Sequence, residues 1–221
     1  MTDIGTIAIL GGTGKEGTGL ALRWAKAGLR VLIGSRDPAK AERVAAELNA
    51  KLGREAIKGL GNLDAAAQGE IVVLTVPYAA HLSTLAQVKE ALAGKVLVDV
   101  TVPLDPENVR RVKLPPAGSA AQEAQQFLGE GVRVVSAFQN ISETLLHDAE
   151  GPIDCDVLVC GNDKEAKRTV IRLAELAGMR AFDGGPVENS AVAEALTSVL
   201  IHLNIRYKVR GAGIRFTGVP G

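Results

Sequence analysis

Aromatic side chains are scarce. One Trp, two Tyr and four Phe make up 3% of 221 residues, so the core must be packed with Ala, Val, Leu and Ile. Cysteine is scarcer still. Cys155 and Cys160 lie in one apolar run, DCDVLVCG, without a CxxC or metal-ligand spacing, and read as small core hydrophobes. The three histidines, His81, His147 and His202, form no HExxH or similar cluster, so no metal site is expected. Neither sign of charge is in excess: 25 Lys+Arg balance 25 Asp+Glu, which argues against nucleic acid or an anionic membrane as partner. No apolar run reaches the ~18 to 20 residues of a membrane span. The opening MTDIGTIAILGG is too short and too acidic for a secretory signal, so a cytoplasmic location is expected.

Short aliphatic runs alternate with helical spacing. Residues 6–10 (TIAIL), 30–33 (RVLI), 71–75 (IVVLT), 96–100 (VLVDV), 132–137 (VRVVSA), 155–160 (CDVLVC) and 180–183 (RAFD) read as strands. Helices are expected over 18–27, 39–52, 62–68, 80–92, 119–128, 162–177 and 189–207. Asp37 is the expected N-cap and Pro38 the first position of the second of these. Strand–helix–strand at this rhythm gives βαβ units and a parallel sheet with right-handed crossovers. The expected fold is therefore α/β, a Rossmann-type doubly wound parallel sheet with a small C-terminal α/β lobe ending in a long helix. Residues 1–150 would be the nucleotide-binding domain and 151–221 the lobe. Four prolines between 103 and 118 suggest an ordered loop across the carboxyl edge of the sheet, or a plain surface loop.

The strongest motif follows the first strand: Gly11-Gly12-Thr13-Gly14-Lys15-Glu16-Gly17, then a helix. Its Gly12-x-Gly14-x-x-Gly17 spacing is the dinucleotide fingerprint in its required setting. One glycine permits the turn, one lets a pyrophosphate approach the backbone and one lets helix and strand pack closely. After the second strand an NAD site would carry an acidic residue for the ribose hydroxyl; here Gly34-Ser35-Arg36 stands instead, with Lys40 one turn further. Ser35, Arg36 and Lys40 suit a 2′-phosphate, so the expected cofactor is NADP(H). Val76 and Pro77, after the third strand, would form an apolar wall near the nicotinamide, with Tyr78 beside them. Asp99 is either a general acid or base or an ordinary strand-end carboxylate. No nucleophile–base triad or catalytic carboxylate pair can be assembled, as befits direct hydride transfer between two rings, which needs alignment more than proton relays.

The segments GGTG-x-x-G, GSR with a Lys four residues on, LTVPY, SAFQN, VCGND, AGMRAFDGGPVENS and LNIRYKVRGAGIRFTG together resemble the NADPH-dependent coenzyme F420 reductases over essentially the whole chain. That resemblance implies reversible hydride transfer between NADP(H) and F420, an 8-hydroxy-5-deazaflavin. It implies that Thr13, Gly14, Lys15 and Glu16 wrap the pyrophosphate, that Ser35, Arg36 and Lys40 hold the 2′-phosphate, and that Val76, Pro77 and Tyr78 line the nicotinamide end. Ala137, Phe138, Gln139, Asn140 and Ile141, with backbone near residues 211–213, would seat the deazaflavin. Gln139, where some archaeal members carry His, and Asn140 would be orienting groups rather than proton donors. The C-terminal lobe resembles those through which family members pair as homodimers. The residues alone also admit an NADPH-dependent reductase of a flavin, ferric chelate or imine, or a non-catalytic NADP(H) sensor.

Overall fold

The structure is a computed structural model that describes residues 4–148 and 150–219. Eight strands form one sheet in the order β3-β2-β1-β4-β5-β6-β7-β8. The strands are β1 (Ile7–Leu10), β2 (Val31–Ser35), β3 (Ile57–Gly61), β4 (Ile71–Leu74), β5 (Val96–Asp99), β6 (Arg133–Ser136), β7 (Asp156–Gly161) and β8 (Arg180–Asp183). The helices are α1 (Lys15–Lys26), α2 (Pro38–Leu52), α3 (Asn62–Gln68), α4 (His81–Val88), α5 (Ala120–Leu128), α6 (Glu143–His147), α7 (Lys164–Leu176) and α8 (Ser190–Tyr207). Strand β1 is wholly buried, as both faces of a helix-covered parallel sheet require.

Two apolar layers flank the sheet. On one side Ile7, Ile9, Val31, Ile33 and Val73 pack with Leu20 and Trp24 of α1. On the other Ala8, Leu10, Val72 and Leu74 pack with Leu85, Val88 and Ala124. Each fully buried aliphatic side chain contributes about 1.5–3 kcal/mol before the entropy of ordering is subtracted. Polar side chains stitch the helices together. Arg23, buried on α1, donates to the carbonyls of Leu146 (3.0 Å) and Ala177 (2.8 Å), and Trp24 Nε1 donates to Leu173 O (2.8 Å), tying α1 to α6 and α7.

Several expectations are corrected. Strand β3 was not expected at all, nor was the five-residue helix α6. Helix α1 begins at Lys15, three residues before the expected start, because Gly14 in extended conformation is its N-cap and no side-chain cap marks the position. Strands β6 and β7 pair antiparallel, Ser136 opposite Cys160, so the sheet is not parallel throughout. After β6 the chain passes α6, which packs on α1, and β7 enters the sheet from the edge β6 left, so it runs the other way. Asp37 does cap α2, accepting from the Lys40 N–H at 3.1 Å, with Pro38 at the first position.

The order of strands reverses between β1 and β4, each parallel to the other, with Leu10 beside Leu74. Register carries this alignment across the sheet: Leu74 lies beside Asp99 and Asp99 beside Ser136. The segments that follow β1, β4, β5 and β6 therefore emerge side by side on one edge, where open α/β sheets take their ligands.

Candidate functional site

A single cleft of about 780 Å³ runs along that edge. At one end lies the turn after β1. Gly11 has φ +68°, the left-handed conformation that favours glycine, and its N–H is held by Asn62 Oδ1 at 3.2 Å. The fingerprint glycines then divide by what surrounds them. A Cβ on Gly12 would lie 2.2 Å from Ile33 Cγ2 and 2.6 Å from Ile9 O, and one on Gly17 would lie 2.6 Å from Gly12 Cα. These two let turn, strand and helix close on one another. A Cβ on Gly14 would meet only Gly11 O, at 3.5 Å, and Gly14 lines the cleft. That bare backbone at the N-terminus of α1 could hold a diphosphate on unpaired N–H groups.

Beside this turn Ser35, Arg36, Asp37 and Lys40 line the cleft. Ser35 Oγ accepts from the Asp37 N–H at 3.1 Å, and the Asp37 carboxylate caps α2, so neither cation is neutralised by a salt bridge among the described residues. Arg36 and Lys40 are exposed and could hold a phosphate beyond the diphosphate.

Glu16 lies in the first turn of α1 and lines the same cleft. Its Oε1 is buried without a hydrogen-bond partner among the described residues. Burial, with a smaller contribution from the Glu143 charge, pushes its carboxyl up to about 8.

Midway along the cleft Thr75, Val76 and Pro77 form the wall. Tyr78 does not. It sits in a 3₁₀ turn, its hydroxyl donates to Glu123 Oε2 at 2.8 Å and its ring stacks on His81 at 6.0 Å. Burial and the Glu123 carboxylate push its phenol up to about 12.

At the far end the turn after β6 is held in an uncommon shape. Phe138 has φ +75°, and its ring is fully enclosed against Trp24, edge to face at 5.8 Å. Gln139 Nε2 donates to the main-chain O of Asp99 at 2.8 Å, which leaves Gln139 Oε1 buried without a partner among the described residues. Asn140 Nδ2 donates to Ala193 O at 2.8 Å and Thr197 Oγ1 donates to Gln139 O at 2.9 Å, fastening the turn to α8. Phe138, Gln139, Asn140 and Ile141 line the cleft, whereas Ala137 is wholly buried behind them.

Of the residues singled out from the sequence, Thr13, Gly14, Lys15, Glu16, Ser35, Arg36, Lys40, Val76, Pro77, Gln139, Asn140 and Ile141 come together on this one surface. Gly12, Tyr78 and Ala137 stand behind it. Sequence reasoning missed Asn62, Thr84, Leu104, Thr197, Leu200, Ile201 and Asn204, all of which line it. Asn62 follows the unrecognised β3 directly, and that strand was the signal that could have exposed it. Leu104 places the proline-rich segment on the cleft, as an ordered loop across the edge would be. Asp99 lies under the floor. Its side chain is fully buried, bonded to His81 Nε2 at 2.7 Å and to the Thr101 N–H at 3.0 Å, the strand-end role rather than a general acid facing the cleft.

A glycine turn at the switch in strand order, a cationic corner after β2 and the continuation of the same cleft to the turn after β6 define a Rossmann-type NADP oxidoreductase. Comparison with known proteins agrees. The family model for NADP oxidoreductase, coenzyme F420-dependent, matches residues 6–103. The F420-dependent NADP reductase of Methanocaldococcus jannaschii is 48% identical over 96% of this chain and 98% of its own. That of Methanothermobacter marburgensis is 47% identical over 97% of this chain and 99% of its own. Among solved structures, a hypothetical protein from Sinorhizobium meliloti superposes with a TM-score of 0.69 at 24% identity, over 86% of this chain and 89% of its own, a likeness of fold. The chain belongs to the family of F420-dependent NADP reductases.

Proposed function

We propose that the cleft aligns NADP(H) and coenzyme F420 for direct, reversible hydride transfer. The coenzymes supply the chemistry: hydride passes between C4 of the nicotinamide and C5 of the deazaflavin, with a proton exchanged with solvent. The chain supplies position. Main-chain N–H groups of Thr13, Lys15 and Glu16 receive the diphosphate beside the bare Cα of Gly14, whose own N–H is held by Gly11 O at 3.1 Å, and Ser35, Arg36 and Lys40 receive the 2′-phosphate. Val76 and Pro77 back the nicotinamide. Gln139, Asn140 and Ile141, with the main chain of Phe138 and opposite Leu200 and Ile201 of α8, flank the deazaflavin. With its Nε2 committed to Asp99 O, Gln139 offers Oε1 as a fixed acceptor for a ring N–H, an orienting rather than proton-donating role.

The observation that carries this reading is continuity. One cavity joins the cationic corner, the glycine turn and the end at Gln139 without a partition, so two rings would share one open cleft whose walls mix apolar and polar side chains. In this reading residues 1–150 are the nucleotide-binding domain, and residues 151–221 complete the deazaflavin end through Thr197, Leu200 and Ile201. The exposed apolar side chains Val192, Val199, Ile205 and Tyr207 on α8 support pairing of two copies through this C-terminal part. Its setting is the cytoplasm, where NADP(H) is held. No helix among the described residues is long and apolar enough to cross a membrane.

The test is to mix protein, NADPH and F420 and follow the deazaflavin absorbance. Bleaching with F420 supports the reading. Turnover with a flavin or ferric chelate alone, or nucleotide binding without turnover, overturns it.

A further inference from the structure

Asn62 stands at the seam between the glycine turn and the cationic corner, and the local pairing of strands puts it there. Strands β2 and β3 run parallel with Ser35 beside Gly61, so Asn62 and Arg36 leave the sheet together. Gly34 makes room for the side chain: a Cβ on Gly34 would lie 2.8 Å from Asn62 Oδ1 and 3.2 Å from Asn62 Cα. The carbonyl of Gly34 also accepts the Gly12 N–H at 3.0 Å, which docks the turn after β1 against the end of β2. Asn62 therefore meets both segments, sitting over Gly34 and accepting the Gly11 N–H on Oδ1 at 3.2 Å.

The two ends of this amide differ. Oδ1 is committed to the turn. Nδ2 has no hydrogen-bond partner among the described residues, although only 7% of the residue is exposed and it lines the cleft. A nearly buried NH2 group left unmatched costs free energy, and a ligand acceptor would recover it. Connectivity decides which part of the nucleotide comes within reach. The adenosine ribose of NADP(H) carries the diphosphate on its 5′ carbon and the extra phosphate on its 2′ carbon. It has to bridge the turn at Gly14 and the corner at Arg36, and Asn62 lies between them.

We propose that Asn62 is a determinant of cofactor choice, its Nδ2 donating to the 2′-phosphate as the adenosine ribose passes over it. This rests on the reading above, in which Ser35, Arg36 and Lys40 face that phosphate. An NAD(H) site places a carboxylate at the ribose to accept from its 2′-hydroxyl. Here the side chain beneath the ribose is a neutral donor of the same shape as Asp. A donor gains more from a charged phosphate oxygen than from a hydroxyl. Selection for the phosphate is thus made from two sides, by the exposed cations of the corner and by an amide held under it.

The experiment is a fluorescence binding titration of the full chain with NADPH and with NADH, in wild type, Asn62→Asp, Asn62→Ala and Arg36→Ala, with a thermal melt of each. Asn62→Asp keeps an acceptor for the Gly11 N–H and puts a carboxylate in the first turn of α3, so it should melt within about 2 °C of wild type. It replaces the donor with a negative charge. NADPH should weaken by about a hundredfold, while NADH holds its affinity or gains up to about tenfold through its ribose hydroxyl. Asn62→Ala removes both ends of the amide. It should melt lower and weaken both nucleotides through the turn they share, with NADPH losing about fivefold more than NADH because the donor is gone as well.

Equal loss of NADPH and NADH in Asn62→Asp, or loss of neither, overturns the assignment and confines Asn62 to support of the turn. Selective loss in Asn62→Asp with equal loss in Asn62→Ala overturns it too, because repulsion would then act without a contact. In either case a selective loss of NADPH in Arg36→Ala leaves the cationic corner standing. Arg36→Ala weakening both nucleotides alike removes the phosphate from the corner, and the role of Asn62 falls with it.

Discussion

His81 Nε2 and Asp99 Oδ2 lie 2.7 Å apart with both side chains wholly buried, one strand-end below the cleft floor. Burial alone would lower the imidazole's pKa, but the hydrogen bond to Asp99 and the charges of Asp99 and Glu123 outweigh it and hold it above the ordinary histidine value. A group raised on folding contributes stability that is fully present below its unfolded pKa and is lost as pH rises through its folded one. Urea unfolding should therefore show wild type losing this contribution as pH climbs from about 6.5. Asp99→Ala, which strands a buried imidazole, should cost about 3–5 kcal/mol at acid pH. It should also flatten that part of the pH profile. An Asp99→Ala variant with wild-type slope would exclude the pair as its source.

The two kinds of fingerprint glycine should separate by experiment. Gly12→Ala places a methyl 2.6 Å from Ile9 O, so its penalty is in folding: thermal stability should drop by several degrees even without ligand. The Cβ of Gly14→Val would meet nothing closer than Gly11 O at 3.5 Å, and the side chain would project where a diphosphate would dock. The variant should melt near wild type and fail to bind NADPH. A Gly14→Val protein with unaltered affinity would remove the diphosphate from this turn.

Much of this site was legible in the sequence because it depends on backbone. Four buried strands announce themselves as aliphatic runs, and the glycine spacing fixes the turn after β1 whatever packs around it. What escaped was set by tertiary contact. Strand β3 reads IKGLG, with Lys58 exposed and two glycines, and only the approach of α2 explains it: a Cβ on Gly59 would lie 2.2 Å from the Ala41 carbonyl carbon. Helix α6 spans five residues, too few for a period to register. Tyr78 was expected on the nicotinamide wall from its place after Pro77, but Glu123, on α5 far along the chain, draws its hydroxyl away.

Arg36→Ala should discriminate between nucleotides. A charge-assisted contact with the 2′-phosphate is worth about 1.5–3 kcal/mol, so NADPH should weaken by roughly ten- to a hundredfold while NADH changes little. Titration of both nucleotides decides it. Equal loss for NADH would mean that Arg36 acts on something the two share.

Glu194, on α8, anchors the start of α5: its Oε2 accepts from the Ala120 N–H at 2.7 Å and its Oε1 from the Ala121 N–H at 3.2 Å. Burial pushes the carboxyl up to about 8 against these two donors. Glu194→Ala leaves both N–H groups buried and unmatched, and should cost about 2–4 kcal/mol, read as a lower urea midpoint. A loss under about 0.5 kcal/mol, the scale of an ordinary surface change, would show that the α5–α8 junction does not depend on it.

Glu16 ties nucleotide affinity to pH. Its carboxyl, pushed to about 8 chiefly by burial and further by Glu143, is neutral at and below neutrality and becomes charged beside the diphosphate site as pH rises through that value. An anion there repels the nucleotide, so bound NADPH favours the protonated carboxyl, and affinity should decline by about tenfold between about pH 7 and pH 9. The 2′-phosphate does not confound the measurement, because its second proton is lost near pH 6. Glu16→Gln, which keeps the shape and cannot ionise, should bind NADPH with little change across the same range. Calorimetry at about pH 8.5 in buffers of different ionisation enthalpy offers an independent reading: wild type should take up part of a proton on binding NADPH and the glutamine variant should not. Matching pH profiles for the two proteins would place the linked proton on another group.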